Sequence, residues 1–368
     1  MAPTLDLPLP FYRGRVGLYH LLRTLGVGRG DEVMLQAFTC LAVPEAILAT
    51  GATPVWADLE PDSVNLCSHN VRAKLTGRTK AIIAQHTFGI PADMGPLLAL
   101  AAESGVPVIE DCCHSIASTV GGRPVGSLGL GAFWSYEWGK PVIAGVGGGA
   151  RFNDTALQAR LSTAQAATEH PPARRNAILE AQYVAFARLY SPHTFWWVRR
   201  AFRLLGRLRL AESNYNPVGL ETAADFRWRM APGAAQRLPA AIAAAAAFEP
   251  ERRAQAEFYR SALANGSCRL PPVPAGTEAV YSRFPLFVAN KEEVLAAAAR
   301  RNLEVAGWFA TPVHPLAGDE LAAVHYRPGD CPQAERAATG ILSLPVHPKV
   351  TRSFQRAVVE LINRHGRA

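Results

Sequence analysis

The chain has 368 residues, 49% of them hydrophobic and 18% charged, with 38 Lys and Arg against 30 Asp and Glu for a net charge of +8. That hydrophobic share excludes a disordered chain, and at about 150 residues per unit the length suits two or three structural units. The positive balance favours anionic partners such as phosphates, nucleotides or an acidic lipid surface, while the lack of a long Lys/Arg run sets nucleic acid aside.

Met1 to Tyr12 is Pro-rich and has neither the charged head nor the apolar stretch of a signal peptide. The first helix pattern is Leu18 to Leu25, stopped by Gly26, and Glu32 to Leu35 reads as a short strand. Pro44 to Thr50 reads as a helix, and Pro54 to Asp58 as a strand. Lys80 to Gln85 has the unbroken apolar run of a buried strand. Met94 to Ser104 is a helix, Val106 to Asp111 a strand, and Ala132 to Tyr136 another. Strands separated by helices of about ten residues predict an α/β domain with a mostly parallel central sheet flanked by helices. Ligands of such sheets sit at the carboxyl ends of the strands, where Asp111 and His86 fall.

The stretch 171–220 is different in composition: aromatics alternate with arginines, and Arg199, Arg203 and Arg207 form a basic helical stripe. Two readings are open for its 183–210 part. A basic amphipathic helix with aromatics can rest on an acidic membrane surface, or its aromatics can pack inward with the arginines solvated. An Ala-rich helix, Pro239 to Phe248, and a charged one, Glu251 to Leu263, follow. The expected division is a large domain over 1–245 and a smaller C-terminal α/β domain over 246–368. No apolar run is long enough to span a bilayer. The six cysteines form no Cys-x-x-Cys pair and suggest no metal site; they read as reduced thiols of a cytoplasmic protein.

Lys140 follows a predicted strand and precedes the glycine run 145–149. A lysine that forms an imine needs partial desolvation, and glycines admit a bulky ligand close to the backbone. A surface-loop lysine is the plain alternative. Asp111, in Val108-Ile109-Glu110-Asp111, could hold a pyridinium nitrogen protonated, or simply cap a turn.

Further motifs occur in order along the chain. They are Gly28-Arg29-Gly30-Asp31-Glu32-Val33, Ala37-Phe38-Thr39-Cys40, Gly51-Ala52-Thr53-Pro54-Val55 and Arg78-Thr79-Lys80-Ala81-Ile82. Gly89-Ile90-Pro91-Ala92-Asp93-Met94 and Leu342-Ser343-Leu344-Pro345-Val346-His347-Pro348 complete the set. In these the chain resembles the DegT/DnrJ/EryC1/StrS family of sugar aminotransferases, over nearly its whole length except 171–220.

The resemblance implies a fold-type I transferase dependent on pyridoxal 5'-phosphate (PLP), working as a homodimer with shared active sites. It implies that Lys140 carries the cofactor as a Schiff base and shuttles protons, and that Asp111 pairs with the ring nitrogen. His114 would lie near the ring oxygen, Ser135 would hydrogen-bond the phosphate, and backbone amides at Arg15 and Val16 would cradle it. Trp308 and His314 would line the substrate cleft, and His86 is either a substrate contact or a structural histidine. The chain departs from the family's pattern at Cys40, where an aromatic stacks on the ring, at Arg15, a Thr or Ser position, and at Arg227, an Asn position. The two arginines could favour the phosphate or an anionic substrate.

The activity so implied moves an amino group, from a donor such as glutamate, to a keto group of a nucleotide-linked sugar or related phosphorylated acceptor. A PLP-dependent sugar dehydratase is the alternative on the same scaffold; in that branch a histidine replaces the lysine. A non-catalytic PLP-binding or membrane-associated protein is the third reading.

Overall fold

The computed structural model describes residues 8–207, 211, 224–263 and 266–368. Its main sheet has seven strands: β1 (Leu9–Phe11), β2 (Glu32–Gln36), β3 (Thr53–Ala57), β4 (Thr79–Gln85), β5 (Val108–Asp111), β6 (Gly131–Ser135) and β7 (Gly148–Phe152). Their spatial order is β1-β7-β6-β5-β4-β2-β3. The five strands β2 to β6 run parallel, and β7 alone is antiparallel to its neighbours β6 and β1.

The parallel core follows from sequence. Ala81, Ile82, Ile83 and Ala84 are all buried, as strands covered on both faces require. Helices Ala42–Ala49, Ser68–Lys74 and Met94–Ser104 supply crossovers between parallel strands. The carboxyl ends of β2, β4, β5 and β6 are Gln36, Gln85, Asp111 and Ser135.

Strand β7 lies within what the sequence shows as a glycine run. Its glycine is forced by close approach: a Cβ on Gly148 would lie 2.2 Å from the carbonyl carbon of Arg13. The β6–β7 hairpin makes the segment 136–147, which carries Lys140, a loop at the sheet's edge of function. The first helix begins at Gly14, four residues before the apolar pattern shows it.

In the C-terminal part, Arg283–Phe287 pairs antiparallel with Ile341–Pro345, flanked by helices Glu249–Ala262, Lys291–Arg300 and Arg352–His365. The Ala-rich helix spans Pro232–Ala247, so Pro239 is interior and Pro232 takes the favoured first-turn place. A short parallel pair, Thr39–Cys40 with Val313–His314, stitches this part onto the end of β2.

The insert forms two helices, Ala173–Leu189 and Phe195–Arg207. The Phe186 ring lies 4.7 Å from Trp138 and 4.6 Å from Tyr190. Tyr190 Oη donates to Glu304 Oε2 at 2.7 Å, and Trp196 Nε1 donates to the Leu303 carbonyl at 2.8 Å. These aromatics therefore pack inward, clamping the Lys140 loop and the C-terminal part together. Trp197 and Leu204, seven residues apart on the outer face, stay exposed at 63% and 57%. The remainder of the stretch, 208–210 and 212–220, lies outside the described residues. Among the described residues no helix is long and apolar enough to cross a membrane.

Candidate active site

Asp111 ends β5 with its carboxylate buried, and Oδ1 accepts the Cys113 amide at 2.9 Å. Burial pushes this carboxyl above the usual range; the Cys113 amide and the positive charge of Lys140 oppose the rise. Three residues on, His114 packs in a cluster with two aromatic rings, Phe88 at 5.8 Å and 14° and Phe309 at 5.8 Å and 28°. Its Nδ1 accepts the Phe88 amide at 3.3 Å. That bond leaves the proton on Nε2 in the neutral ring. Burial, and then the charge of Lys140, hold the His114 pKa well below its ordinary value, so the neutral form prevails.

Lys140 is held in its loop by its amide, which donates to the Glu137 carbonyl at 3.2 Å. Its Nζ lies 5.6 Å from the centre of the Trp308 ring. Trp308 in turn lies 6.0 Å from His114, and His314 6.0 Å from Phe309. Register places His314 beside Cys40, and the His314 carbonyl accepts the Leu41 amide at 2.8 Å. Burial, then the charges of Arg199 and Lys291, lower the His314 pKa to about 4, so it too is neutral near pH 7.

Ser135 closes the arrangement from below. A Cβ on Gly14 would lie 3.3 Å from Ser135 Cβ, 3.3 Å from Cys113 Sγ and 3.0 Å from the Trp134 carbonyl. The first turn of helix Gly14–Thr24 thus meets the ends of β5 and β6, and a helix N-terminus is an anion site by charge and geometry. Lysine, strand-end carboxylate, neutral imidazole, hydroxyl and helix N-terminus together fit a phosphorylated pyridine cofactor.

Seven of the expected residues therefore converge: Lys140, Asp111, His114, Ser135, Cys40, Trp308 and His314. The others differ. His86 is fully buried, its Nδ1 accepting the Ala92 amide at 3.0 Å and its Nε2 donating to Glu110 Oε2 at 3.1 Å. The structural alternative holds for it, because both nitrogens are engaged. Glu110 also accepts the amides of Gly126, Leu128 and Gly129 at 2.7 Å, so His86, Glu110 and nearby Cys112 form a structural knot rather than a ligand set.

Arg15 and Val16 open the first helix as expected, but the Val16 amide donates to the Arg13 carbonyl at 3.1 Å within the turn. The Arg15 guanidinium turns inward, with Nη2 donating to Asp225 Oδ2 at 2.5 Å and Nη1 lying 3.3 Å from Glu45 Oε2. It does not extend toward a phosphate. Arg227 is exposed and pairs with Glu169 at 3.7 Å.

No sequence pattern singled out Phe88 and Phe309 as the rings packed with His114, or Trp138 as the seat of the insert helix. Phe88 has one local mark, a positive φ of 58°, which is invisible in sequence.

A model of the DegT/DnrJ/EryC1/StrS aminotransferase family matches residues 12–363. The chain is 30% identical over 361 residues to the UDP-N-acetyl-3-dehydro-alpha-D-glucosamine 3-aminotransferase of Acidithiobacillus ferrooxidans, covering 96% of this chain and 83% of that one. It is 26% identical over 348 residues to the dTDP-3-amino-3,6-dideoxy-alpha-D-galactopyranose transaminase of Aneurinibacillus thermoaerophilus, covering 94% and 82%. A crystal structure of a DegT DnrJ EryC1 StrS aminotransferase from Brucella abortus shares the fold, with a TM-score of 0.75, 24% identity and coverage of 99% and 87%. The chain belongs to the DegT/DnrJ/EryC1/StrS aminotransferase family, and it is a fold-type I aminotransferase dependent on pyridoxal 5'-phosphate.

Proposed function

We propose that this aminotransferase delivers the amino group, taken from a donor such as glutamate, to the keto group of a nucleotide-linked sugar, with Lys140 as covalent anchor of the cofactor and carrier of the proton. The convergence of Lys140, Asp111, His114 and Ser135 at the carboxyl ends of β5 and β6 carries this reading. The two curated relatives are named for UDP- and dTDP-linked sugars. The bound cofactor supplies an electron sink for the carbon that loses or gains a proton.

The chain's own residues set the conditions for that chemistry. Asp111 would face the ring nitrogen from the end of β5; burial pushes its carboxyl up, and the Cys113 amide and Lys140 oppose that rise and favour the charged form that would pair with a protonated ring. Neutral His114 would offer its Nε2–H to an acceptor on the cofactor. Ser135 Oγ and the amides that open the first helix would hold the phosphate. Lys140 would hold the cofactor covalently and, as a free amine, would carry the proton as a general base and acid. Trp308 and His314 wall the acceptor side, and Cys40 offers a small, polarisable contact in place of an aromatic ring.

The chain is proposed to act as a cytoplasmic homodimer, divided at about residue 245 into a large and a small domain, with Arg227 of each copy turned toward the other. The outer face of helix Phe195–Arg207 is proposed to touch acidic membrane peripherally. Exposed Trp197 and Leu204 are flanked there by Arg200 and Arg203, and no acidic residue occurs from 181 to 211.

The decisive measurement is the absorption spectrum of the purified protein. A visible cofactor band that disappears on adding L-glutamate supports amino transfer. A band indifferent to every amino donor removes it, and the same band in Lys140→Ala removes the anchor assignment. For the membrane contact, acidic liposomes should retain the wild type but not Trp197→Ser/Leu204→Ser; equal retention of both discards it.

A further inference from the structure

Five charged residues are buried together behind the first turn of helix Gly14–Thr24: Arg13, Arg15, Glu45, Glu137 and Asp225, each 8% exposed or less as a whole residue. Arg13 Nη1 donates to Glu137 Oε1 at 2.9 Å, and Arg13 Nε lies 3.6 Å from Asp225 Oδ2. Asp225 Oδ2 also accepts from Arg15 Nη2 at 2.5 Å, and Arg15 Nη1 lies 3.3 Å from Glu45 Oε2. The chain of contacts runs Glu137, Arg13, Asp225, Arg15, Glu45. Buried ions of this kind are weak evidence for stability, since well-packed apolar groups would serve as well or better. They do fix geometry when two of the paired groups are attached to something that must be placed.

Two neighbouring members here, Glu137 and Arg13, are attached to the site. The Glu137 carbonyl accepts the amide of Lys140, so the residue that grips Arg13 by its side chain also holds the lysine's turn by its backbone. The Arg13 carbonyl accepts the amides of Val16 and Gly17, so the same arginine closes the first helical turn that faces Ser135 across Gly14. Arg13 cannot shift to absorb strain, because its backbone is in close contact with Gly148 of β7.

We propose that Arg13 and Glu137 are positioning residues that lock the Lys140 turn to the phosphate-binding first turn, with Asp225, Arg15 and Glu45 holding Arg13 in place. This rests on the reading of Lys140 and the helix N-terminus given above. One departure from the family's pattern then has an explanation: Arg15 closes a buried charge network, and no hydroxyl is needed at its position for that purpose. With all five groups ionised the network has two positive and three negative charges. Burial first, opposed by the charge of Arg15, pushes the Glu45 carboxyl up, which eases that excess by favouring its protonated form.

The experiment compares wild type, Glu137→Gln and the double variant Arg13→Met/Glu137→Leu, in which both charges are replaced by apolar groups. Two readouts are taken on each: the dissociation constant for PLP by titration of the visible band, and the pH at which that band titrates. Circular dichroism reports the fold. Glu137→Gln is expected to weaken PLP binding at least fivefold and to move the titration of the band, with the secondary structure retained. If Glu137→Gln fails to fold, the double variant is read with the same expectation. Wild-type affinity and an unmoved titration in the folded variant overturn the positioning role while leaving the assignment of Lys140 intact. A wild-type protein that binds no PLP overturns both.

Discussion

Arg13 and Glu137 are 124 positions apart in the chain, and their side chains meet at 2.9 Å in the interior. The contact joins the residue before the first helix to the residue that bonds the Lys140 amide. The cofactor's two expected attachment points, phosphate turn and lysine, are therefore linked through protein as well as through ligand.

Lys140→Ala should lose the visible band of the covalently held cofactor. Activity should fall by about 10^2 to 10^4-fold or more, the usual contribution of a placed proton carrier. The checks are the absorption spectrum and single-turnover amination. A folded variant that retains both the band and the rate would show that another amine is the anchor.

Asp111→Asn keeps the shape of the buried side chain and removes the charge facing the ring nitrogen. PLP should still bind, and the half-reaction with glutamate should slow by at least tenfold, because a neutral amide does not favour the protonated ring. Stopped-flow decay of the visible band measures this, and an unchanged rate would remove Asp111 from the mechanism.

His86→Gln should behave as a structural change. It disturbs the buried bonds to Glu110 and to the Ala92 amide, and losing partners for buried polar groups costs about 1–3 kcal/mol. Thermal melting should register the loss, while KM for the keto acceptor should stay within about twofold. A large rise in KM with wild-type stability would restore His86 as a substrate contact.

Glu304 is buried against Arg283 Nη1 at 2.6 Å and accepts from Tyr190 of the insert. Burial alone would raise its carboxyl, but the charge of Arg283 and the His347 contact outweigh it and hold the pKa down to about 2. The folded value is depressed, so its stabilising contribution is present above the unfolded value near pH 4.5 and is lost as pH falls toward 2. Acid should release the insert from the C-terminal part within that window. Hydrogen exchange of residues 173–207 as a function of pH would show the release, and Glu304→Gln should show it already at pH 7. Equal protection in Glu304→Gln and wild type would mean that the apolar contacts alone dock the insert.

The parallel strands, the helices between them and the order Asp111, His114, Ser135, Lys140 were legible in the sequence. Apolar periodicity is a local property, and strand ends in such a sheet are predictable positions for ligand groups. Strand β7 was not legible, because its glycines are explained only by what packs against them, the backbone of Arg13 at Gly148 and the Tyr136 hydroxyl and Pro8 at Gly149. The inward packing of Tyr183, Phe186, Tyr190 and Trp196 could not be separated from a membrane-facing arrangement until their neighbours Trp138, Leu303 and Glu304 were in place.

By itself, the sequence determined the family and the fold class, and it singled out Lys140 as the proposed anchor, since each rests on residue types in a fixed order. Only the tertiary structure decided what the charged residues do. The Arg15 guanidinium read as open to a phosphate or an anionic substrate and is a member of a buried ion network; His86 read as an open choice and has both nitrogens engaged. The physical reason is common to both. A charge or an imidazole has a function set by the groups within about 4 Å of it, and those groups come from parts of the chain that sequence order keeps far apart.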